Sequence, residues 1–341
     1  VNEASHADTG QKLTRPATGL QLFALDGSRD FGAAVAQVLG SPLAQHEERE
    51  FEDGEHKARP LDVVRGGDVF VVHSLHGQPE ASANDKLCRL LFFVGALKDA
   101  GAARVTAVAP YLCYARKDRR TKPNDPVTTR YVAALFEAVG TDAVVTLDVH
   151  NPAAFENAFR VPAVTLTMAP LFVEHVVGLG EADLCVVSPD PGGVKRAELF
   201  REALEARIGR PVRKGFVEKH RSAGVLSGDI FAGDAQGATA LIIDDLISSG
   251  RTLLRAAQAA RAAGARRAIA LVTHGLFMQG SAAVLADPAI ERLVVSDPVP
   301  PFRLADAAVR AKLQVVSAVP LVADAIRRLH EDRALTDLLV F

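Results

Sequence analysis

No apolar run in this chain approaches the ~18 residues that a membrane-crossing helix needs, so no span and no membrane partner are expected. Cysteine is scarce. The three present, Cys88, Cys113 and Cys185, have neither metal-ligand spacing nor an even-numbered pairing pattern. They read as small buried apolar residues of a protein kept in a reducing cytoplasm. There is no surplus of positive charge: 39 Lys and Arg face 41 Asp and Glu, a net charge of −2. That balance argues against a basic nucleic-acid binder. There is no Gly-Lys dipeptide, which excludes a Walker A loop. The chain does not open on a basic segment followed by an apolar core, so a signal peptide is not expected. Residues 1–19 are polar and aperiodic and are expected to form a disordered extension.

Core-forming material is plentiful. The chain has 341 residues, of which 48% are hydrophobic, enough for two domains of about 150 residues each. Short β-branched runs at Asp68–Val72, Val105–Pro110, Ala143–Leu147, Leu184–Ser188, Ala240–Asp244, Ile269–Thr273 and Leu293–Ser296 predict buried strands. Helical spacing marks Phe31–Leu39, Asn84–Ala100, Thr128–Val139, Pro170–Val177, Val194–Ala206, Thr252–Ala263 and Leu321–Leu329. This alternation predicts an α/β fold with parallel sheets covered on both faces. Ligands in such folds collect beyond the carboxyl ends of strands. The segment from Val161-Pro162 to Pro170 reads as the crossing between two similar halves.

The most informative stretch runs from Leu241 to Thr252. An apolar strand ends in Asp244 and Asp245, then Ser248, Ser249, Gly250, Arg251 and Thr252 lead into a helix. Adjacent acids on an extended strand point to opposite sides, so a turn at the strand end is expected to bring both to one ligand. A small polar turn at a helix N-terminus can hold phosphate on backbone N–H groups, while carboxylates hold sugar hydroxyls or a metal. Taken alone, the same stretch is also a plain strand-to-helix connection with Ser or Thr as cap.

Four further segments stand in company with it. Phe51-Glu52-Asp53-Gly54-Glu55 offers an aromatic face and carboxylates, which suit a purine with an exocyclic amine. Tyr114 to Arg120 is a basic cluster after a strand, and Arg forks bind phosphate oxygens. Ser188-Pro189-Asp190-Pro191-Gly192-Gly193 is a Gly-containing turn between strand and helix. Glu218-Lys219-His220-Arg221 places two cations two residues apart. Together with Leu241–Thr252, these segments resemble the ribose-phosphate pyrophosphokinase (PRPP synthetase) family. They follow its order, and the resemblance runs from about Leu22 to the C-terminus.

The resemblance implies two phosphoribosyltransferase-like (type I) domains, each a largely parallel sheet flanked by helices. Residues 20–165 would form an N-terminal ATP-binding domain and residues 166–318 a C-terminal ribose-5-phosphate-binding domain. Residues 319–341 would pack as a helix on the first. Phe51, Asp53 and Glu55 would hold adenine in a site shared with a neighbouring subunit of a homo-oligomer. Arg116 would flank the base, and Lys117 and Arg119 would meet the polyphosphate. His150, supported by Asp148, would help bind the Mg²⁺ of MgATP, with Asp190 a second metal-associated carboxylate. On spacing alone, Asp148 and His150 lie two apart, and an extended backbone would aim them to one side.

Asp244, Asp245, Ser248, Ser249, Gly250, Arg251 and Thr252 would hold ribose 5-phosphate. Lys219 and Arg221, on a closing loop, would neutralise charge that builds up in the transition state. Three positions depart from the family's commonest pattern: Lys117 stands where Gln is usual, Ser248 where Asp is, and Arg251 where Gly is. The implied reaction is attack of the anomeric hydroxyl of ribose 5-phosphate on the β-phosphorus of MgATP, giving PRPP and AMP. The alternatives are a phosphoribosyltransferase that consumes PRPP, and a non-catalytic homologue that regulates a true synthetase.

Overall fold

The computed structural model describes residues 19–222 and 225–339, and the side chains of residues 219–229 lie outside that description. The expected extension at residues 1–19 therefore falls, Gly19 apart, outside the described residues. The first half contains β1 (Leu20–Ala24), α1 (Arg29–Leu39), β2 (His46–Glu50), β3 (His56–Pro60), β4 (Asp68–Val72), α2 (Ala83–Asp99), β5 (Arg104–Val108), α3 (Thr128–Ala138), β6 (Ala143–Leu147), α4 (Pro152–Ala158) and β7 (Ala163–Leu166). The second contains α5 (Ala169–Gly178), β8 (Leu184–Ser188), α6 (Val194–Ile208), β9 (Arg213–Ser222), β10 (Val225–Gly233), β11 (Thr239–Ile247), α7 (Arg251–Ala262), β12 (Arg267–Gly275), α8 (Ser281–Leu285), β13 (Arg292–Ser296), α9 (Ala307–Lys312), β14 (Leu313–Val316) and α10 (Val319–His330).

Every strand and helix expected from periodicity is present. The crossing between halves is later than expected, because Ala163–Leu166 pairs with β6 as a strand of the first sheet. The first sheet has the order β1-β4-β5-β6-β7, with all neighbours parallel. The second has the order β10-β9-β8-β11-β12-β13-β14, parallel except for the β9–β10 ribbon. The two sheets are thus largely parallel and flanked by helices, the α/β class that the alternation predicted. β2 and β3 stand apart as an antiparallel hairpin.

Local chemistry sets the element ends. Helix α2 starts at a capping box, in which Ser82 Oγ accepts from the Asp85 N–H and Asp85 accepts from the Ser82 N–H. Helix α7 buries Leu253, Ala256, Ala257 and Ala260, one face at helical spacing, against the second sheet. The same sheet buries its other face with α5 and α6, in a core that continues through α10 to α1 of the first half. Helix α10 returns to the first half, where Arg104 pairs with Asp68 at 2.6 Å and donates to the Leu329 carbonyl at 2.8 Å. No helix among the described residues is long and apolar enough to cross a membrane.

Candidate active site

Strand β8 sits between β9 and β11, so the chain leaves it to one side and returns on the other. A crevice opens beyond the carboxyl ends of strands at such a switch point, and ligands of open α/β sheets bind there. Asp190 follows β8, and Asp244 and Asp245 lie near the end of β11. The carboxyl edge of the first sheet meets this one. His274 Nε2, at the end of β12, is 2.8 Å from the carbonyl of Leu147, the last residue of β6, and its ring packs edge-on against Tyr111. Arg303 donates to the carbonyls of Leu276 and Gly77, one from each half.

Strand β11 does not end at the acids, as the sequence reading expected, but runs on to Ile247. Asp244 and Asp245 are strand residues and still converge, because a cation reaches both. Arg196 of α6 lies 3.8 Å from Asp244 Oδ1 and 3.4 Å from Asp245 Oδ1, and donates to the His150 carbonyl at 3.2 Å. His150 Nδ1 is 2.8 Å from Asp245 Oδ2. A carboxylate only accepts, so Nδ1 carries the proton and Nε2 is left to face a ligand.

The electrostatics follow from this geometry. Burial pushes both aspartates up. For Asp245 the hydrogen bond from His150 and the charge of Arg196 outweigh burial and hold the group below the usual carboxylate range. For Asp244, burial is reinforced by the Asp245 charge, and its pKa is raised well above the ordinary value. The bond to Asp245 raises the His150 pKa against the opposing effect of burial. The pair is therefore unequal: Asp245 is the readily ionised member, held by His150 and Arg196, and Asp244 beside it is the one that burial and its neighbour's charge make harder to ionise.

Asp148 is not on the extended backbone that spacing suggested. Its φ is +39°, and its Oδ2 accepts from the Met168 N–H at 3.0 Å and from Thr273 Oγ1 at 2.5 Å. It brackets the two sheets instead of pointing beside His150. Asp190 caps the turn that follows it, with Oδ1 accepting from the Gly193 N–H at 3.1 Å. Asp148, His150 and Asp190 are not gathered into a cage: among the described residues no three His, Cys, Asp or Glu side chains are placed to hold a metal together. A Mg²⁺ that arrives on a polyphosphate keeps several waters and needs only one or two protein contacts, a demand that the His150 ring and the Asp190 carboxylate fit and that Asp148, spent on Met168 and Thr273, does not.

Ser248, Ser249 and Gly250 form the expected turn, and α7 starts at Arg251. Gly250 has φ +78°, and a Cβ there would come within 2.7 Å of Leu285, so only glycine suits the position. The N-cap Gly250 has no side chain to cap α7; Ser249 Oγ accepts from the Arg251 N–H at a long 3.5 Å, and the other N–H groups of the first turn are open to a ligand.

On the first sheet's edge, Arg116, Arg119 and Arg120 are exposed. Lys117, in the usual Gln position, pairs with Asp125 at 2.6 Å, and Asp125 also accepts from the N–H groups of Thr121 and Lys122 at 3.0 Å each. Lys117 thereby pins the basic loop to itself. Asn151 ties the loop to the His150 segment by donating to Asp118 Oδ2 at 2.6 Å.

Phe51, Asp53 and Glu55 occupy the turn joining β2 to β3, closed by the Phe51 N–H to the Glu55 carbonyl at 2.8 Å. Phe51 is exposed, with the Arg49 guanidinium 4.8 Å above its ring. The hairpin rests on α2 through Arg89 and Glu50, 3.2 Å apart. None of the described contacts joins residues 51–55 to the His150–Asp245 cluster.

The backbone at Lys219 and Arg221 belongs to β9, opposite Asp229 and Leu226 of β10, with a bulge between Leu226 and Gly228. The side chains of Lys219 and Arg221 lie outside the described residues. Arg196 is the functional residue that the sequence reading missed. Its one signal was a Lys195-Arg196 pair in the first turn of the helix that follows Pro191-Gly192-Gly193, a placement equally typical of a solvated helix face.

Comparison with known proteins bears on all of this. A family model described as the N-terminal domain of ribose phosphate pyrophosphokinase matches residues 20–140, and one described as a phosphoribosyl synthetase-associated domain matches residues 228–340. A ribose-phosphate pyrophosphokinase of Caldanaerobacter subterraneus subsp. tengcongensis is 36% identical over 96% of this chain and 99% of its own length. Ribose-phosphate pyrophosphokinase 1 of Streptococcus agalactiae is 34% identical over 94% of this chain and 97% of its own. The crystal structure of phosphoribosylpyrophosphate synthetase from Mycobacterium smegmatis superposes with a TM-score of 0.82 at 30% identity, covering 92% of this chain and all of that one.

Proposed function

Because the chain belongs to the ribose-phosphate pyrophosphokinase family, we propose that it transfers the pyrophosphoryl group of MgATP to the anomeric hydroxyl of ribose 5-phosphate, giving PRPP and AMP. The observation that carries this reading is the His150–Asp245 contact of 2.8 Å. It brings the edge expected to bind ATP against the edge expected to bind the sugar, so one cleft serves both substrates.

In this reading the ribose hydroxyls meet Asp244 and Asp245, and the 5-phosphate sits on Ser248, Ser249, Gly250 and Thr252 at the start of α7. Arg251 adds a cation there. The carboxylates of Asp244 and Asp245 can accept from the sugar hydroxyls. Arg116 and Arg119 bind adenine and polyphosphate. His150 presents Nε2, and Asp190 its carboxylate, to the phosphates and their Mg²⁺. When bound, the ion would supply positive charge to the phosphate oxygens. Lys219 and Arg221 then stabilise the oxygens that gain charge.

Phe51, Asp53 and Glu55 complete the adenine site of a second copy, a reading supported by the lack of any contact among the described residues between this turn and its own His150–Asp245 cluster. The protein is read as a cytoplasmic homo-oligomer. Incubation with ATP, Mg²⁺ and ribose 5-phosphate should yield AMP and PRPP by mass spectrometry. Absence of AMP, or turnover that needs a nucleobase and no ATP, would refute the synthetase reading. Mixing inactive Phe51→Ala and Lys219→Ala subunits tests the shared site. Activity should return as mixed oligomers form, because some sites then receive both intact residues.

A further inference from the structure

Beside the cleft, a notch of about 330 Å³ opens between α6 and the root of the β9–β10 ribbon and reaches Ser188 at the end of β8. Its floor is apolar: Val186, Val194, Ala197, Phe216 and Ala232 line it. Its size reaches the range of small-ligand pockets, which pair an apolar floor with a few polar groups. Two charged groups also line it, Lys214 and Glu198, and they are unequally satisfied. Glu198 is taken by Arg201, 2.7 Å away on the same helix. Lys214 stands at 3.5 Å from the same carboxylate and is 69% exposed. Lys214 is thus the spare cation of the group.

At its root the ribbon leaves no room for a side chain at residue 233. Gly233 has φ +138°, and a Cβ there would meet the Lys214 carbonyl at 2.4 Å. The notch also touches three elements that carry groups of the cleft. Strand β8 leads into the Asp190 turn, α6 carries Arg196, and the ribbon carries the backbone of Lys219 and Arg221.

We propose that this notch binds a small organic anion with an apolar body, with Lys214 on its charge, and that occupancy alters turnover through the β9–β10 ribbon. The effect on turnover rests on the pyrophosphokinase reading, whereas binding does not, so the two fail separately. The body would displace water from Val186, Ala197 and Phe216. A wedge between α6 and the ribbon would shift the reach of Lys219 and Arg221 relative to Arg196.

The probe is 4-fluorobenzoate, followed by fluorine NMR on the full chain, with 4-fluorobenzyl alcohol as its neutral twin. Saturable binding of the benzoate is expected, with the alcohol about tenfold weaker for want of the charge. Lys214→Ala should bring the benzoate to the level of the alcohol. Val194→Phe should abolish binding of both by filling the mouth. Both substitutions are at exposed positions, so the fold should survive, which circular dichroism checks. With bound probe, kcat should change at least about twofold, and Lys214→Ala should keep its basal kcat while losing that response. Binding unaffected by either substitution, or equal for acid and alcohol, would overturn the site. Binding with no change in kcat would overturn the coupling.

Discussion

The carboxyl edges of the two sheets carry opposite charge in opposite states. On the second sheet the acids are largely withdrawn from water and already matched: Asp245 is held by His150 and Arg196, and Asp244 by Arg196. On the first sheet Arg116, Arg119 and Arg120 stand in solvent, while the loop beneath them is tied down by Asp125 and Asn151. The difference follows from the ligands proposed for each. A sugar brings hydroxyls, which can be met by groups whose charge is balanced internally. A polyphosphate brings several negative charges, and burying the matching cations before it arrives would cost several kcal/mol each. Such cations stay wet, and only the backbone that carries them is organised in advance.

Substitutions on the two edges should therefore fail differently. Asp245→Asn carries the largest expected effect, a loss of about 10²–10³-fold in kcat/KM for AMP release, since it removes the charge and leaves one carbonyl oxygen where His150 and Arg196 each had an acceptor. Arg196→Met should come next. It leaves half-buried Asp244 without its cation and buried Asp245 with His150 alone, and should cost about 2 kcal/mol by denaturant unfolding, less than for a fully buried pair because Arg196 is partly exposed. The KM for ribose 5-phosphate should rise with it.

Arg116→Ala, on the open edge, should raise the KM for ATP about tenfold while changing stability by less than about 0.5 kcal/mol. A stability loss as large as that of Arg196→Met would erase the contrast between edges. The smallest effect is with pH. The His150 pKa is raised by Asp245 above its ordinary 6.5. The pair's contribution is therefore complete below about pH 6.5 and is lost as pH rises through the raised value. The difference in Tm between the wild type and Asp245→Asn should shrink along that rise, and one that widens would contradict the pairing.

Much of this contrast was legible in the sequence. Strands such as Ala143–Leu147 and Leu184–Ser188 were found at their true ends because a run of four or five apolar or β-branched residues buries both faces. The hairpin of His46–Glu50 and His56–Pro60 was not, since charged side chains on a half-exposed ribbon leave no period-2 apolar signal. Strand Ala163–Leu166 was taken for a connection because it is short and follows Pro162. Within the site, the acids and the turn could be read because they are contiguous. Arg196 could not, because its partners Asp244, Asp245 and His150 are distant in sequence and meet it only when α6 packs over β11. Asp148 misled because spacing assumes an extended backbone, and its positive φ turns the carboxylate onto Thr273.

A double-mutant cycle on kcat/KM, with His150→Ala, Asp245→Asn and both together, most directly tests whether the two edges act as one site. If they do, each single change should cost about 10²-fold or more, and the double little more than the worse single, because either change breaks the same contact. Losses that multiply in the double variant would mean that His150 and Asp245 act independently, and that the contact between edges does not carry the reaction.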